Sequence, residues 1–220
     1  MKNLGWPTFA TTLLSLILAG FAVTTIMAEK LSPKPQNLSL SVALANPAAF
    51  GPSSDLASEL APLRGDLIGD NAIALAAQAL TSKNTPASGE SSVIQTHAVS
   101  AARQALSTAP HLSRVWLVLA KLQKDNEQSK SEALKMSYLT APGDANLLPL
   151  RLAIAATTTL SDVEITGLVR RDIRVILATR PDLRPAIIDA FNLGTPQGKA
   201  YIEDTVKSID PTFAVALRSS

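Results

Sequence analysis

The chain has 220 residues, of which 46% are hydrophobic, 17% are charged and only 4% are aromatic, a composition too apolar for a disordered chain and sufficient for one or two small domains. Its 20 basic and 18 acidic residues give a net charge of +2, which argues against a general nucleic-acid-binding protein. Since cysteine is absent, disulfide scaffolds, thiol chemistry and Cys-based metal sites are excluded. The apolar fraction is mostly Ala, Leu, Val and Ile, which favours closely packed helices over β-sandwiches.

The first predicted element is an uncharged apolar stretch near the amino terminus. No charged side chain occurs between Trp6 and Ala28, and residues 13–23 have the sequence LLSLILAGFAV. At about 1.5 Å per residue, a helix of this length reaches about 35 Å, enough to cross a hydrocarbon core of about 30 Å. We therefore predict that residues 1–30 form a membrane anchor or a signal segment.

Two fates of this segment stay open, a retained anchor and a cleaved signal peptide. Ala28 is a small residue of the kind that precedes a cleavage site, but Ile26 is a poor match to the small residue needed two positions earlier. The uncharged stretch is also long for a signal peptide, which favours retention. Lys2 lies before the stretch and Lys30 after it, so charge bias gives only a slight preference to an exported body. We expect a single-pass inner-membrane anchor with a periplasmic body, and cleavage followed by export is the alternative.

A proline-rich segment follows the apolar stretch. Residues 31–54 contain four prolines among Ser and Asn, and such spacing is incompatible with a continuous helix. Apolar and polar residues alternate between Leu38 and Leu44, which is typical of an extended segment. We predict a linker over residues 31–54 with a short extended piece inside it.

Residues 55–220 have long Ala- and Leu-rich runs with apolar positions at helical spacing. Helix-start patterns occur at Ser129-x-x-Glu132, at Ser161-x-x-Glu164 and at Thr195-Pro196. These features predict helices over residues 66–81, 91–108, 112–125, 130–140, 145–158, 162–179, 183–193 and 196–208, with a short final helix from Pro211.

Five X-Pro pairs separate these predicted helices. Proline cannot continue a helix and pushes the preceding residue out of the α region, so each pair ends one helix before the next begins. The intervals between the pairs suit two-helix hairpins, which predicts an irregular α-solenoid. The pairs are Ala61-Pro62, Ala109-Pro110, Ala141-Pro142, Arg180-Pro181 and Asp210-Pro211.

The region around Pro110 resembles the tetratricopeptide repeat (TPR), in which small residues of one helix precede a proline and the next helix opens with Trp and Leu. Ala120 stands where Gly is usual and Ala102 where a bulky aromatic is usual. The resemblance covers about residues 60–180 and implies a TPR-like helical-repeat domain that binds peptides or proteins on its concave face. The predicted repeat-packing residues are Ala98, Ala105, Pro110, Trp116, Leu119 and Ala120.

No pattern in the sequence predicts a catalytic residue, a metal site or a cofactor. Neither His97 nor His111 has a carboxylate three or four positions later, as a helical metal pair would require. A phosphate-binding Gly-rich loop and a nucleophile elbow are both absent from the sequence. We therefore expect a protein that is not an enzyme.

The most prominent charged feature is basic and comprises Arg170, Arg171 and Arg174, which lie within little more than one helical turn. It is either an ordinary solvated face or a docking site for an acidic protein segment, an anionic glycan or lipid head groups.

Together these features predict an all-α, membrane-anchored scaffold that binds protein partners in an envelope assembly. By analogy with other envelope-tethered repeat proteins, that assembly would be polysaccharide or secretion machinery. No nucleic-acid partner is expected. The alternative is a single-pass accessory subunit of a membrane transport or polysaccharide-synthesis complex that acts through its transmembrane helix. Gly20, between Ala19 and Ala22, would give that helix a narrow face for packing.

Overall fold

The computed structural model describes residues 5–31, 40–45, 56, 58–59, 64–82, 90–123, 126–159 and 162–218, and every regular element within these ranges is helical. The all-α prediction is therefore confirmed. Short 3₁₀ turns at Ala145–Leu147 and Pro181–Leu183 precede two of the helices. The α-helices are α1 (Gly5–Leu31), α2 (Leu40–Ala45), α3 (Gly65–Ser82), α4 (Glu90–Thr108), α5 (Ser113–Leu122), α6 (Glu127–Thr140), α7 (Leu148–Ala156), α8 (Val163–Thr179), α9 (Arg184–Leu193), α10 (Pro196–Ile209) and α11 (Pro211–Arg218).

Most predicted helices agree with these bounds to within about three residues. Helix α7, predicted to cover 145–158, begins as a 3₁₀ turn and becomes α-helical only at Leu148. Pro149 explains the late start, because a proline is tolerated in the first turn of an α-helix but not further in. The prediction for residues 112–125 is shortened to α5, and residues 124–125 lie outside the described ranges.

Side-chain caps determine where several helices begin. At α10 the prediction is confirmed, since Thr195 Oγ1 accepts a hydrogen bond from the N–H of Gly198 at 3.1 Å. At α6 the predicted start at Ser129 is wrong, because the N-cap is Asn126, whose Oδ1 accepts from the N–H of Ser129 at 3.0 Å. At α8 the cap is Asp162, and the predicted cap residue Ser161 lies outside the described residues.

Helix α1 is long and apolar enough to cross a membrane. Phe9–Ala28 has a mean hydropathy of 2.0, and its residues are exposed apart from Thr24, Thr25 and Ala28 near the carboxyl-terminal end. Its hydroxyl groups donate to carbonyls one turn earlier, for example from Thr12 to Phe9 O and from Ser15 to Thr11 O, both at 2.9 Å. Such bonds satisfy polar groups within the helix, as a lipid environment requires.

Helices α3 to α10 form four consecutive hairpins within the described ranges: α3/α4, α5/α6, α7/α8 and α9/α10. The first helices of the hairpins also contact one another in order, α3 with α5, α5 with α7 and α7 with α9. Small residues bring α3 and α4 close together, because a helix surface of alanines allows near approach of the two backbones. The fully buried alanines of this pair are Ala72, Ala76, Ala77, Ala79, Ala98, Ala102 and Ala105.

The predicted extended piece within the linker is wrong. Residues 40–45 form helix α2, which contacts α3 and α7 and buries Leu40, Ala43 and Leu44. These three positions lie on one face of a helix at spacing i, i+3 and i+4, so burial against the body selects the helix over the strand. The remaining linker residues, 32–39 and 46–54, lie outside the described residues.

The amino-terminal end of α10 packs tightly on the carboxyl-terminal end of α7. The N–H of Thr195 donates to the carbonyl oxygen of Ala156 at 3.0 Å. A Cβ atom at Gly198 would lie 2.0 Å from that same oxygen, so the position has no room for a side chain. Glycine at 198 is therefore required by the contact between α7 and α10.

We expect Gly198→Ala to lower the free energy of unfolding by about 1–3 kcal/mol, because the clash involves a backbone atom that cannot rotate away. Gly167→Ala is the matched control, since Gly167 is also helical but has no atom within 4 Å of the added Cβ. We expect the control to raise stability by up to about 1 kcal/mol through helix propensity. Denaturant unfolding of both variants measures the difference, and equal stabilities would contradict the close contact.

Candidate protein-binding groove

Residues of α2 and of the first helices of the four hairpins line one cavity of about 430 Å³, which we call the groove. The lining is drawn from five helices, so no single hairpin forms the groove. It includes Leu44 of α2, Leu80 of α3, Lys121 of α5, Pro149 and Ala153 of α7, and Leu193 of α9.

The groove lining is largely aliphatic, and its edge carries an exposed leucine. Leu193 is 64% exposed although it is the last residue of an otherwise amphipathic helix. Asp189, one turn earlier on α9, is also exposed at the lining. Exposed large apolar side chains beside a concavity are typical of surfaces that bind other molecules. The groove can therefore receive apolar side chains of a ligand.

Helix α2 lies at the groove, where it contacts α3 and α7 and contributes Leu44 to the lining. Leu40 and Leu44 are each 5% exposed and Ala43 is 3% exposed. Burial of two leucines contributes about 3–6 kcal/mol to the packing of α2 on the body. Because a helix of six residues is too short to be stable alone, this burial holds α2 in its helical conformation.

The predicted basic face lies away from the groove. Arg170 and Arg174 are exposed on α8, and α8 contributes nothing to the groove lining. The guanidinium of Arg171 donates to the carbonyl oxygen of Pro142 at 3.0 Å, so this arginine holds the turn between α6 and α7. The groove and the basic face of α8 are therefore two separate surfaces, and each is a candidate site for docking a partner.

The residues predicted for repeat packing lie at the junction of α4 and α5. Leu119 is 6% exposed and Ala120 is fully buried, whereas Pro110 is exposed in the turn. Trp116 is half-buried, and its indole N–H donates to the carbonyl oxygen of Pro110 at 2.8 Å. Trp116 therefore connects the second hairpin to the turn that precedes it.

Sequence reasoning missed a buried polar cluster around Arg151. The guanidinium is fully buried and donates to the carbonyl oxygens of Ser137 at 2.5 Å and Ala141 at 2.8 Å. It also lies 4.5 Å from the ring centroid of Tyr138. The sequence does contain a signal for this cluster, which is an arginine inside the apolar run LPLRLAIAA. A charged side chain is rare in such a run unless hydrogen-bond acceptors surround it.

Asp172 of α8 completes this cluster and has a perturbed carboxyl group. Burial raises the pKa of Asp172 to about 6, although the positive charges of Arg151 and Arg171 oppose the rise. Burial, with the negative charge of Asp172, also raises the pKa of Tyr138. Since Arg151, Tyr138 and Asp172 are all at most 2% exposed, the cluster is closed to a ligand and acts to join α6, α7 and α8.

The two histidines do not come together. His97 is exposed beside a second cavity of about 350 Å³ between α3 and α4, and His111 is exposed in the turn before α5. Within the part of the chain that the structure describes, no group of three or more His, Asp or Glu side chains could hold a metal ion.

Comparison with protein-family models, curated proteins and solved structures finds no match to this chain. The resemblance to tetratricopeptide repeats therefore stays a prediction, and the importance of the groove depends on its own geometry and chemistry.

We expect Asp172→Asn to change the pH dependence of stability. The folded chain binds the Asp172 proton more tightly than the unfolded chain, so the contribution of Asp172 to the free energy of unfolding falls as pH rises from about 4 to about 6. Asparagine does not ionise, so the variant does not lose this contribution to stability as the pH rises. The stability of the variant relative to the wild type should rise by up to about 3 kcal/mol between pH 4 and pH 7.5 in denaturant unfolding.

Asp182→Asn is the control for this measurement. Asp182 is exposed, and its hydrogen bonds with Arg180 lower its pKa, so its effect on stability is lost only below about pH 4. The free energy of unfolding of Asp182→Asn, relative to that of the wild type, should be constant between pH 4.5 and pH 7.5. A constant difference for Asp172→Asn as well would show that the Asp172 carboxyl is not perturbed.

Proposed function

We propose that the protein is a membrane-anchored, TPR-like scaffold that binds a segment of a partner protein in the groove. The observation that carries this proposal is that residues from the first helices of four successive hairpins line one cavity. This is the surface that the resemblance to tetratricopeptide repeats implies for peptide or protein binding. The aliphatic lining and the exposed Leu193 favour an apolar protein segment as the ligand.

The packing order of the helices supports an irregular solenoid for residues 55–220. Each hairpin of the described body contacts mainly its neighbours in sequence, and α11 packs on α10 at the end of the series. Nearest-neighbour packing is what a stacked repeat architecture requires, because each hairpin buries its apolar face on the next. Contacts such as those of α10 with both α7 and α8 make the array irregular.

In this proposal α1 is retained as an inner-membrane anchor and the body lies in the periplasm. The length and hydropathy of Phe9–Ala28 support the anchor. Ala28, at the end of this span, is fully buried together with Leu67 of α3. That contact would hold the body next to the membrane, where it could gather components of an envelope assembly.

A binding role is preferred to a catalytic one. The perturbed carboxyl of Asp172 is buried in the Arg151 cluster rather than in the groove. In the groove lining, the titratable side chains within the described residues are Lys121 and Asp189, which do not form a nucleophile and base pair of any usual type.

We expect a photo-crosslinking amino acid at position 193 to capture a discrete partner protein in the native membrane, because Leu193 lies at the edge of the groove. The same amino acid at position 139 is the matched control, since Leu139 is 59% exposed on α6 and does not line the groove. Mass spectrometry identifies the captured protein. Capture from position 139 but not from position 193 would contradict the proposal.

The alternative, an accessory subunit that acts through its transmembrane helix, is tested by exchanging residues 1–28 for an unrelated anchor. Gly20 has no other atom within 4 Å of an added Cβ, so α1 offers a face on which another helix could pack. We expect the crosslink from position 193 to persist after the exchange. Its loss would favour the alternative.

We expect Arg170→Glu combined with Arg174→Glu to leave the crosslink from position 193 unchanged, because these side chains lie outside the groove. Arg171 is left in place because it holds Pro142. A strong loss of the crosslink in a chain with unchanged thermal unfolding would instead assign partner docking to the basic face of α8.

A further inference from the structure

Helix α2 is attached to the rest of the protein in an unusual way. It lies in the groove, yet it belongs neither to α1 nor to the hairpins, and residues 32–39 and 46–64 connect it to its neighbours in sequence. Among the described residues, it is the segment outside the hairpins that contributes side chains to the groove lining. The groove is therefore partly filled by a piece of its own chain.

The side chains of α2 show what the groove accepts. Leu40, Ala43 and Leu44 form one apolar face, and the sequence LSVALA contains no charge. Ser41, Leu44 and Ala45 line the open cavity of about 430 Å³, which therefore lies alongside α2. A ligand with the same apolar spacing and larger side chains would fill both the place held by α2 and the cavity beside it.

We propose, building on the proposed function, that α2 is an internal ligand of the groove and that the partner segment is an uncharged short helix of the same chemistry. Such a helix carries aliphatic side chains at positions i and i+4 and a small residue at i+3. It binds by displacing α2. Because α2 lies between α1 and α3 in the sequence, its release lengthens the connection between the membrane anchor and the body.

The test uses the full-length chain in detergent and a fluorescein-labelled peptide of residues 37–46, NLSLSVALAN. Leu40→Asp with Leu44→Asp removes the apolar face of α2 and leaves the groove lining of the other helices intact. We expect the peptide to bind this variant at least tenfold more tightly than it binds the wild type, measured by fluorescence anisotropy. A peptide with the same two substitutions should bind neither chain.

Leu139→Asp with Val163→Asp is the matched control, because it places the same two charges at exposed apolar positions outside the groove. The peptide should bind this chain as it binds the wild type. A second variant, in which residues 40–45 are replaced by GSGSGS, repeats the test without added charge. Thermal unfolding followed by circular dichroism establishes that each variant is folded.

Equal peptide affinity for the wild type and both α2 variants, or no binding to any of them, would overturn the inference. The inference would also be overturned if the wild type were a dimer and the α2 variants were monomers, because α2 would then be exchanged between two copies of the chain. The crosslink from position 193 separates this inference from the proposed function. If a partner is captured but its yield is the same with and without α2, the scaffold function stands and the internal-ligand inference fails.

Discussion

The buried guanidinium of Arg151 is the interaction on which the arrangement of the hairpins depends. A buried charge needs hydrogen-bond partners, and here one guanidinium nitrogen donates to the carbonyl oxygens of Ser137 and Ala141 at the end of α6, while Nη1 has no partner among the described residues. Carbonyl oxygens at the end of a helix are available for such side-chain donors, so Arg151 of α7 is bound to the end of α6. The neighbouring ring of Tyr138 and carboxyl of Asp172 extend the constraint from α6 and α7 to α8.

The carboxyl-terminal end of α7 is constrained in a similar way. The buried ammonium of Lys130 donates to the carbonyl oxygen of Thr157 at 2.5 Å, and the N–H of Thr195 donates to that of Ala156. Residues of the preceding and following hairpins thus meet at the end of one short helix. These contacts hold the start of α6 and the start of α10 against the end of α7, a helix that lines the groove.

The groove and the membrane helix give the protein two distinct capabilities. The apolar surface of α1 suits lipid, whereas the groove suits a short apolar helix such as α2. A buried contact between Ala28 and Leu67 joins the end of the membrane helix to the body. In the inference proposed above, binding of a partner in the groove is linked through α2 to the segment that connects the anchor to the body.

The helices could be predicted from local sequence features, because proline stops, side-chain caps and apolar spacing act within one or two turns. Thr195-Pro196 and the long apolar run of α1 are the clearest cases. The conformation of α2 depends on tertiary packing, since its six residues suit a strand or a helix until α3 and α7 bury one face of them. The Arg151 cluster and the groove also required it, because their members come from helices that are distant in sequence and meet only through packing.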